Sequence, residues 1–121
     1  MIIGLGVDIV DLARFERAVT RTPRLRERLF APEELEVGGQ LRSLHSLAAR
    51  FAAKEAAQKA IGTAAGVTWV DFVVLQADDG KPTLELRGAA AARAAAIGVA
   101  ALHVSMSHDA GIATATVIAE S

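Results

Sequence analysis

Two carboxylates stand where an acid needs a reason. Asp8 interrupts the apolar run Ile2–Val10. Glu55 lies inside Arg50-Phe51-Ala52-Ala53-Lys54-Glu55-Ala56-Ala57-Gln58-Lys59, a stretch with apolar residues on almost every helical face. An ionised carboxylate in apolar surroundings must find a partner, because burying it alone is costly. Carboxylates arriving from separate elements are a common way to hold Mg²⁺. That ion takes one or two of them and completes its octahedron with water and phosphate oxygens. Arg50, Lys54, Lys59 and His108 supply positive charge for such phosphates. The residues alone point to a Mg²⁺–phosphate site. The plainer alternative is a surface helix on which Glu55 and Lys59 form an i,i+4 pair, worth about 0.2–0.5 kcal/mol.

The elements that must position these groups can be read from periodicity and breakers. A central helix is predicted from Ser43 or Ser46 to near Gly62. Leu44, Leu47, Phe51 and Ile61 share one arc of it, with Lys54, Glu55 and Gln58 in or beside that arc. The opposite side is Ala49, Ala52, Ala53, Ala56 and Ala60. Such a helix is buried, and its alanines let a sheet approach closely. Ile2–Val10 reads as a buried strand. Gly4 and Gly6 within it imply a close backbone approach or a bend.

Asp11 is placed to cap a helix running from Leu12 to about Thr20, and Pro23 prevents its continuation. Leu12, Phe15 and Val19 form its apolar stripe, while Arg14, Arg17 and Arg21 form a basic one. Arg24, Arg26 and Arg28 extend the basic run. Six arginines against Glu16 and Glu27 leave a local excess of four positive charges in a chain of net charge −1. This is either a solvated face or a docking patch for an acidic partner. Pro32 opens a short helix that ends at Gly38-Gly39, and a polar loop leads on to the central helix. Val67–Ala77 reads as a strand, Asp78–Pro82 as a turn and Thr83–Leu86 as a second strand, together a hairpin. Gly88–Ile97 is predicted helical, ended by Gly98. Leu102, Val104 and Met106 then alternate with His103, Ser105 and Ser107, a strand that turns at His108–Gly111 into a last strand, Ile112–Ala119.

A chain of 121 residues is one domain's worth, 1–121, with 22% charged and 52% apolar residues, a globular composition. Much of the apolar fraction is alanine, with four Phe and one Trp. A core that thin favours burying more surface by oligomerisation. The absence of cysteine excludes disulfides and thiolate zinc sites. The N-terminus has no basic region before its apolar run, and Asp8 and Asp11 interrupt that run, so it is not read as a signal peptide. Gly88–Leu102 is too short for a membrane span and contains Arg93. A soluble, cytoplasmic protein that binds neither membrane nor nucleic acid is expected.

Three blocks, in order, resemble the small single-domain holo-[acyl-carrier-protein] synthases, a group of 4′-phosphopantetheinyl transferases. They are Ile3-Gly4-Leu5-Gly6-Val7-Asp8-Ile9-Val10, Arg50-Phe51-Ala52-Ala53-Lys54-Glu55-Ala56 and His103-Val104-Ser105-Met106-Ser107-His108-Asp109. The Gly80-Lys81-Pro82 turn and the Trp69 strand also fit, so the match spans nearly the whole chain. The resemblance implies an α+β fold, an antiparallel sheet packed around the long central helix, in a homotrimer with sites between subunits. It implies transfer of phosphopantetheine from coenzyme A to a serine of an acidic apo acyl-carrier protein, of fatty-acid or polyketide type, leaving adenosine 3′,5′-bisphosphate. By position it assigns Asp8 and Glu55 to Mg²⁺. Lys59, Arg50 and His108 match coenzyme A phosphate contacts, with Lys54 a weaker candidate. Gly62, Lys81 and Pro82 match the nucleotide's neighbourhood, and Arg14, Arg17, Arg21 and Arg24 match the carrier-docking surface. Glu55 is the preferred proton acceptor and His108 its rival. Two departures touch local stability: Ala31 stands where the family has a Thr or Ser cap, and Val73 where it has an acid. The rival from another class is a non-catalytic nucleotide- or nucleic-acid-binding module using the Arg14–Arg28 run. Asp8 with Glu55 discriminates against it, because a phosphate-gripping surface has no use for paired acids. A purely structural oligomer is the third reading.

Overall fold

The computed structural model describes residues 1–121. β1 (Ile2–Asp11) leads into α1 (Leu12–Arg21), and the Asp11 carboxylate caps that helix by accepting from the Arg14 N–H at 2.9 Å. α2 (Leu25–Leu29) and α3 (Pro32–Leu35) follow. The long α4 (Leu44–Ile61) is capped by Ser43, whose Oγ accepts from the Ser46 N–H. A single 3₁₀ turn (Trp69–Asp71) precedes the hairpin of β4 (Phe72–Gln76) and β5 (Pro82–Leu86). α5 (Gly88–Ala96), β6 (Ala101–Asp109) and β7 (Ile112–Glu120) complete the chain. The predicted α+β fold is observed. The main sheet is antiparallel in the order β1-β7-β6, and α4 packs across its inner face.

The small residues explain that packing. Alternation puts Gly4, Gly6, Asp8 and Val10 of β1 on the side facing α4. A Cβ on Gly4 would lie 1.8 Å from the Ala60 carbonyl oxygen, and one on Gly6 1.8 Å from that of Ala56. Strand and helix backbones are therefore in direct contact, the close approach expected of these glycines. Ala52, Ala53, Ala56 and Ala57 of α4 and Ala113, Ala115, Val117 and Ala119 of β7 are buried in the same layer.

Three local expectations are corrected. The segment after α3 is not a plain loop: β2 (Glu36–Val37) pairs with β3 (Gln40–Leu41) across a Gly38-Gly39 turn with φ of +58° and +80°. α3 itself stops earlier, at Leu35. Trp69 is not in a strand, because Asp71 accepts from the Thr68 N–H and hydroxyl at 3.2 Å each and winds the chain into the 3₁₀ turn before β4 begins. The uncapped Ala31 is compensated within α3: the Glu34 carboxylate accepts from the Ala31 N–H at 2.9 Å.

Glu34 also meets Lys54. Both side chains are fully buried, with Nζ to Oε1 at 2.6 Å. Lys54 donates further to the carbonyls of Trp69 and Phe72, and the other Glu34 oxygen accepts from the Val74 N–H. Burial pushes the Lys54 pKa down and the Glu34 charge pulls it back. The pair ties α3, α4 and β4 together. Lys54 is therefore withdrawn from the candidate phosphate contacts: its ammonium is enclosed and its donors are used. Removing one partner strands a buried charge, so Lys54→Met is expected to lose about 3–5 kcal/mol of stability. Thermal unfolding should show a fall of about 10–20 °C. Affinity of the folded fraction for coenzyme A, the ligand that the resemblance implies, should be unchanged, and a selective loss of affinity without loss of Tm would return Lys54 to the site.

Candidate active site

Strand and helix repeats bring Asp8 to Glu55. Two residues of β1 advance about 6.6 Å, and one four-residue step of α4 advances about 6 Å. Gly4 rests on Ala60 and Gly6 on Ala56. The next position in the row sets Asp8 beside the turn that carries Glu55, and the two carboxyl groups are in hydrogen-bonding contact. Lys59, one turn further along α4, donates to the Asp8 Oδ1 at 3.2 Å and to the Val7 carbonyl at 2.9 Å. The plain i,i+4 Glu55–Lys59 pair is not formed; the lysine crosses to the strand instead.

Burial, and then the charge and hydrogen bond of Asp8, push the Glu55 pKa up to about 7, with Lys59 pulling back in part. Two acids held together this way suit a hard divalent cation. No third His, Cys, Asp or Glu joins them. A closed protein-only metal cage is therefore not built, whereas Mg²⁺ needs only one or two carboxylates and takes its other oxygens from water and phosphate. The donor set fits Mg²⁺. A pH effect follows. A folded-state pKa raised above the unfolded value stabilises the fold at low pH, and that stability is lost as pH rises through about 7. A divalent cation held by Asp8 and Glu55 would compete with that proton. Mg²⁺ should raise Tm clearly at about pH 8 and little at about pH 5, as read by thermal scans with and without MgCl₂. An equal Mg²⁺ shift at both pH values would remove the pair as the binding site.

Glu55 also lines a cavity of about 580 Å³ between β1, α1, α2 and α4. Its floor is apolar, from Phe15, Leu25, Leu29 and Phe51, and Arg14, Arg17 and Arg21 lie along it. Three of the four predicted docking arginines thus border the cavity that contains Glu55. Arg24 does not line it; it is exposed in the joint between α1 and α2, at φ +63°.

Arg50 and His108 sit elsewhere. They line a second cavity, of about 560 Å³, with Ser43, His45, Ser46 and Ser107. Arg50 follows Ser46 by one helical turn and donates to its Oγ at 2.6 Å. It is 6% exposed, and its Nε has no partner. Burial and then the Arg42 charge lower its pKa to about 10, so it remains a cation at neutral pH. His108 is opposite Ala113 on β7, which is opposite Val10 on β1. Two strand spacings, about 10 Å, separate it from the β1 row that holds Asp8. Within one chain the predicted set is therefore split, with Asp8, Glu55 and Lys59 in one place and Arg50 and His108 in another. Lys81 and Pro82 lie at the exposed end of the β4–β5 hairpin and border neither cavity. Gly62 ends α4 at φ +79°. His45 was not anticipated: its ring centroid is 5.7 Å from that of His108. The i,i+4 spacing of Ser46 and Arg50 was the only sequence signal for this second cavity.

Comparison with known proteins gives the family and the fold. Residues 4–115 match the model of the 4′-phosphopantetheinyl transferase superfamily. A holo-[acyl-carrier-protein] synthase of Streptomyces coelicolor is 55% identical over 120 residues, covering 98% of each chain. One of Streptomyces griseus is 52% identical over 121 residues, covering 99% of each. Among solved structures, the holo-[acyl-carrier-protein] synthase of Neisseria meningitidis superposes with a TM-score of 0.86 at 32% identity, covering 100% of both chains. That of Helicobacter pylori, in complex with coenzyme A, gives 0.82 at 30% identity, covering 96% of this chain and 99% of that one. By sequence and by fold, this chain belongs to the 4′-phosphopantetheinyl transferase superfamily, in its holo-[acyl-carrier-protein] synthase group.

Proposed function

We propose that this protein transfers the 4′-phosphopantetheine group of coenzyme A to a serine of an apo acyl-carrier protein. The observation that carries the reading is the meeting of Asp8 and Glu55 beside Lys59, with Glu55 also lining a cavity bordered by arginines. The coenzyme A bound to the Helicobacter pylori relative supports the donor substrate. Asp8 and Glu55 would hold Mg²⁺, which when bound neutralises diphosphate charge. The Lys59 ammonium, beside Asp8, would bind and orient the same diphosphate. The serine oxygen forms a bond to the β-phosphorus, and the bond from that phosphorus to the bridging oxygen breaks. The electron pair leaves with adenosine 3′,5′-bisphosphate. Glu55 is the preferred acceptor of the serine proton, with His108 its rival. Most of the rate then comes from positioning and electrostatics.

Arg14, Arg17 and Arg21 offer the charge, and Phe15, Leu25 and Leu29 the apolar floor, for an acidic amphipathic segment of the carrier. Reversing Arg14 and Arg21 to Glu should raise the carrier KM at least about 10-fold and leave coenzyme A binding unchanged; equal effects on both would refute the docking role.

The split between the two cavities supports a composite site. Leu5, Val7 and Ile9 expose 60%, 48% and 62% of their surface on the outer face of β1, an apolar stripe suited to another copy of the chain. Assembly as the trimer that the resemblance implies would let Arg50 and His108 of one copy face Asp8 and Glu55 of the next. A single-chain mass by light scattering would remove that arrangement. The activity itself is tested by incubation with coenzyme A, Mg²⁺ and several apo carriers. Mass gain on the carrier serine is expected, and its absence with every carrier would overturn the function.

A further inference from the structure

α5 reads Gly-Ala-Ala-Ala-Ala-Arg-Ala-Ala-Ala, with Arg93 its single charged residue. Arg93 pairs with no carboxylate. Its Nε–H donates at 2.9 Å to the carbonyl of Ile61, the last residue of α4. Gly62 follows in the left-handed region, and a Cβ there would lie 2.9 Å from the Arg93 Nη2. The guanidinium thus occupies the space that any side chain at position 62 would fill. That gives Gly62 a second reason to be glycine, beside its φ of +79°.

The place matters because of helix geometry. Glu55, Lys59 and Gly62 stand at i, i+4 and i+7 and share one face of α4. The row that begins at the carboxylate pair and continues through Lys59 therefore ends under Arg93. The C-terminus of a helix carries about half a negative charge, which repels anions. An unpaired guanidinium laid over that end reverses the local sign.

We propose that Arg93 is a further charged group of the coenzyme A site. It cancels the C-terminal pole of α4 and offers its Nη donors to the phosphates of the nucleotide half, next to Lys59. The inference rests on the coenzyme A reading above. It makes Arg93 a binding residue: affinity for coenzyme A should change, and the chemical step should not.

Charge can be separated from scaffolding by substitution. Arg93→Lys keeps the charge. Arg93→Gln loses it but can still donate to the Ile61 carbonyl, and Arg93→Ala loses both. Affinity for coenzyme A by calorimetry, kcat and KM, and Tm are measured for each, at low and high salt. Arg93→Lys should stay within about 3-fold of wild type, while Arg93→Gln and Arg93→Ala should weaken binding about 10-fold. kcat should change little, and the deficit should shrink at high salt. A purely structural cap predicts the opposite order, with Gln close to wild type and affinity following Tm. Wild-type affinity in Arg93→Gln overturns the proposal. Should Arg93→Ala fail to fold, the Lys and Gln variants decide it. A wild-type protein that does not bind coenzyme A overturns the underlying reading instead, so the wild-type titration tells the two failures apart.

Discussion

Glu55→Gln and Asp8→Asn should each lower phosphopantetheine transfer about 10²–10³-fold, the usual loss for a group that organises charge at the reacting centre. Their effect on stability should have the opposite sign. The two carboxyls are pressed together, and Glu55 is held near a pKa of about 7 by burial and by Asp8. Above that pH, without a divalent ion, the fold carries two adjacent negative charges. Neutralising either removes the repulsion, so in metal-free buffer at about pH 8 both variants should melt at or above the wild-type Tm. The Lys59–Asp8 bond lost in Asp8→Asn is a weak offset, because Lys59 is more than half exposed. The Mg²⁺-dependent rise in Tm should vanish in both. Inactive but more stable variants are the signature of residues kept for chemistry. Wild-type rates in both variants, or loss of fold in both, would sink the assignment.

Gly6→Ala is the second large effect, and its mechanism is mechanical. The added Cβ would lie 1.8 Å from the Ala56 carbonyl oxygen and 3.0 Å from the Lys59 Cβ. The nearest obstacle is backbone, which cannot turn aside as a long side chain can. β1 must move off α4, and overpacking of this kind costs about 3 kcal/mol. A separation of about 1 Å also carries Asp8 away from Glu55, and misplacement on that scale costs about 10²-fold in rate. The variant should fold with a reduced Tm, turn over about 10²-fold more slowly and lose most of its Mg²⁺ response. Full activity in a folded Gly6→Ala would mean that the spacing of strand and helix does not set the site. Gly4→Ala, with its Cβ 1.8 Å from the Ala60 oxygen, is expected to destabilise similarly. It lies one strand repeat further from Asp8, so its effect on rate should be smaller.

Much of this architecture could be read from local signals. Asp11 and Ser43 cap the helices they precede, because cap chemistry involves only three or four neighbouring residues. The glycines of β1 and the alanine face of α4 announced a close helix–sheet contact, since small residues have few other uses there. The β4–β5 hairpin and the β6–β7 turn follow from alternation and turn chemistry. The two-residue strands at Gly38-Gly39 and the 3₁₀ turn at Trp69 were not legible. They depend on a pairing too short to show periodicity and on one Asp71 side chain folding back.

The residue types set the repertoire open to this protein: two acids in apolar stretches, a lysine one turn beyond Glu55, a basic helix and no cysteine, a set suited to oxygen ligands and phosphate rather than thiolate chemistry. Those are properties of short stretches, where composition and spacing carry the information. Which charges serve that chemistry was decided only by the tertiary structure. Lys54 and Glu55 are adjacent in the chain, yet one is locked to Glu34 in the core and the other faces Asp8. Neighbours on a helix point about 100° apart, and the partner each one finds comes from a distant segment. The sheet order β1-β7-β6 likewise sets His108 two strands from Val10, and a strand's place in a sheet is not written in its own residues.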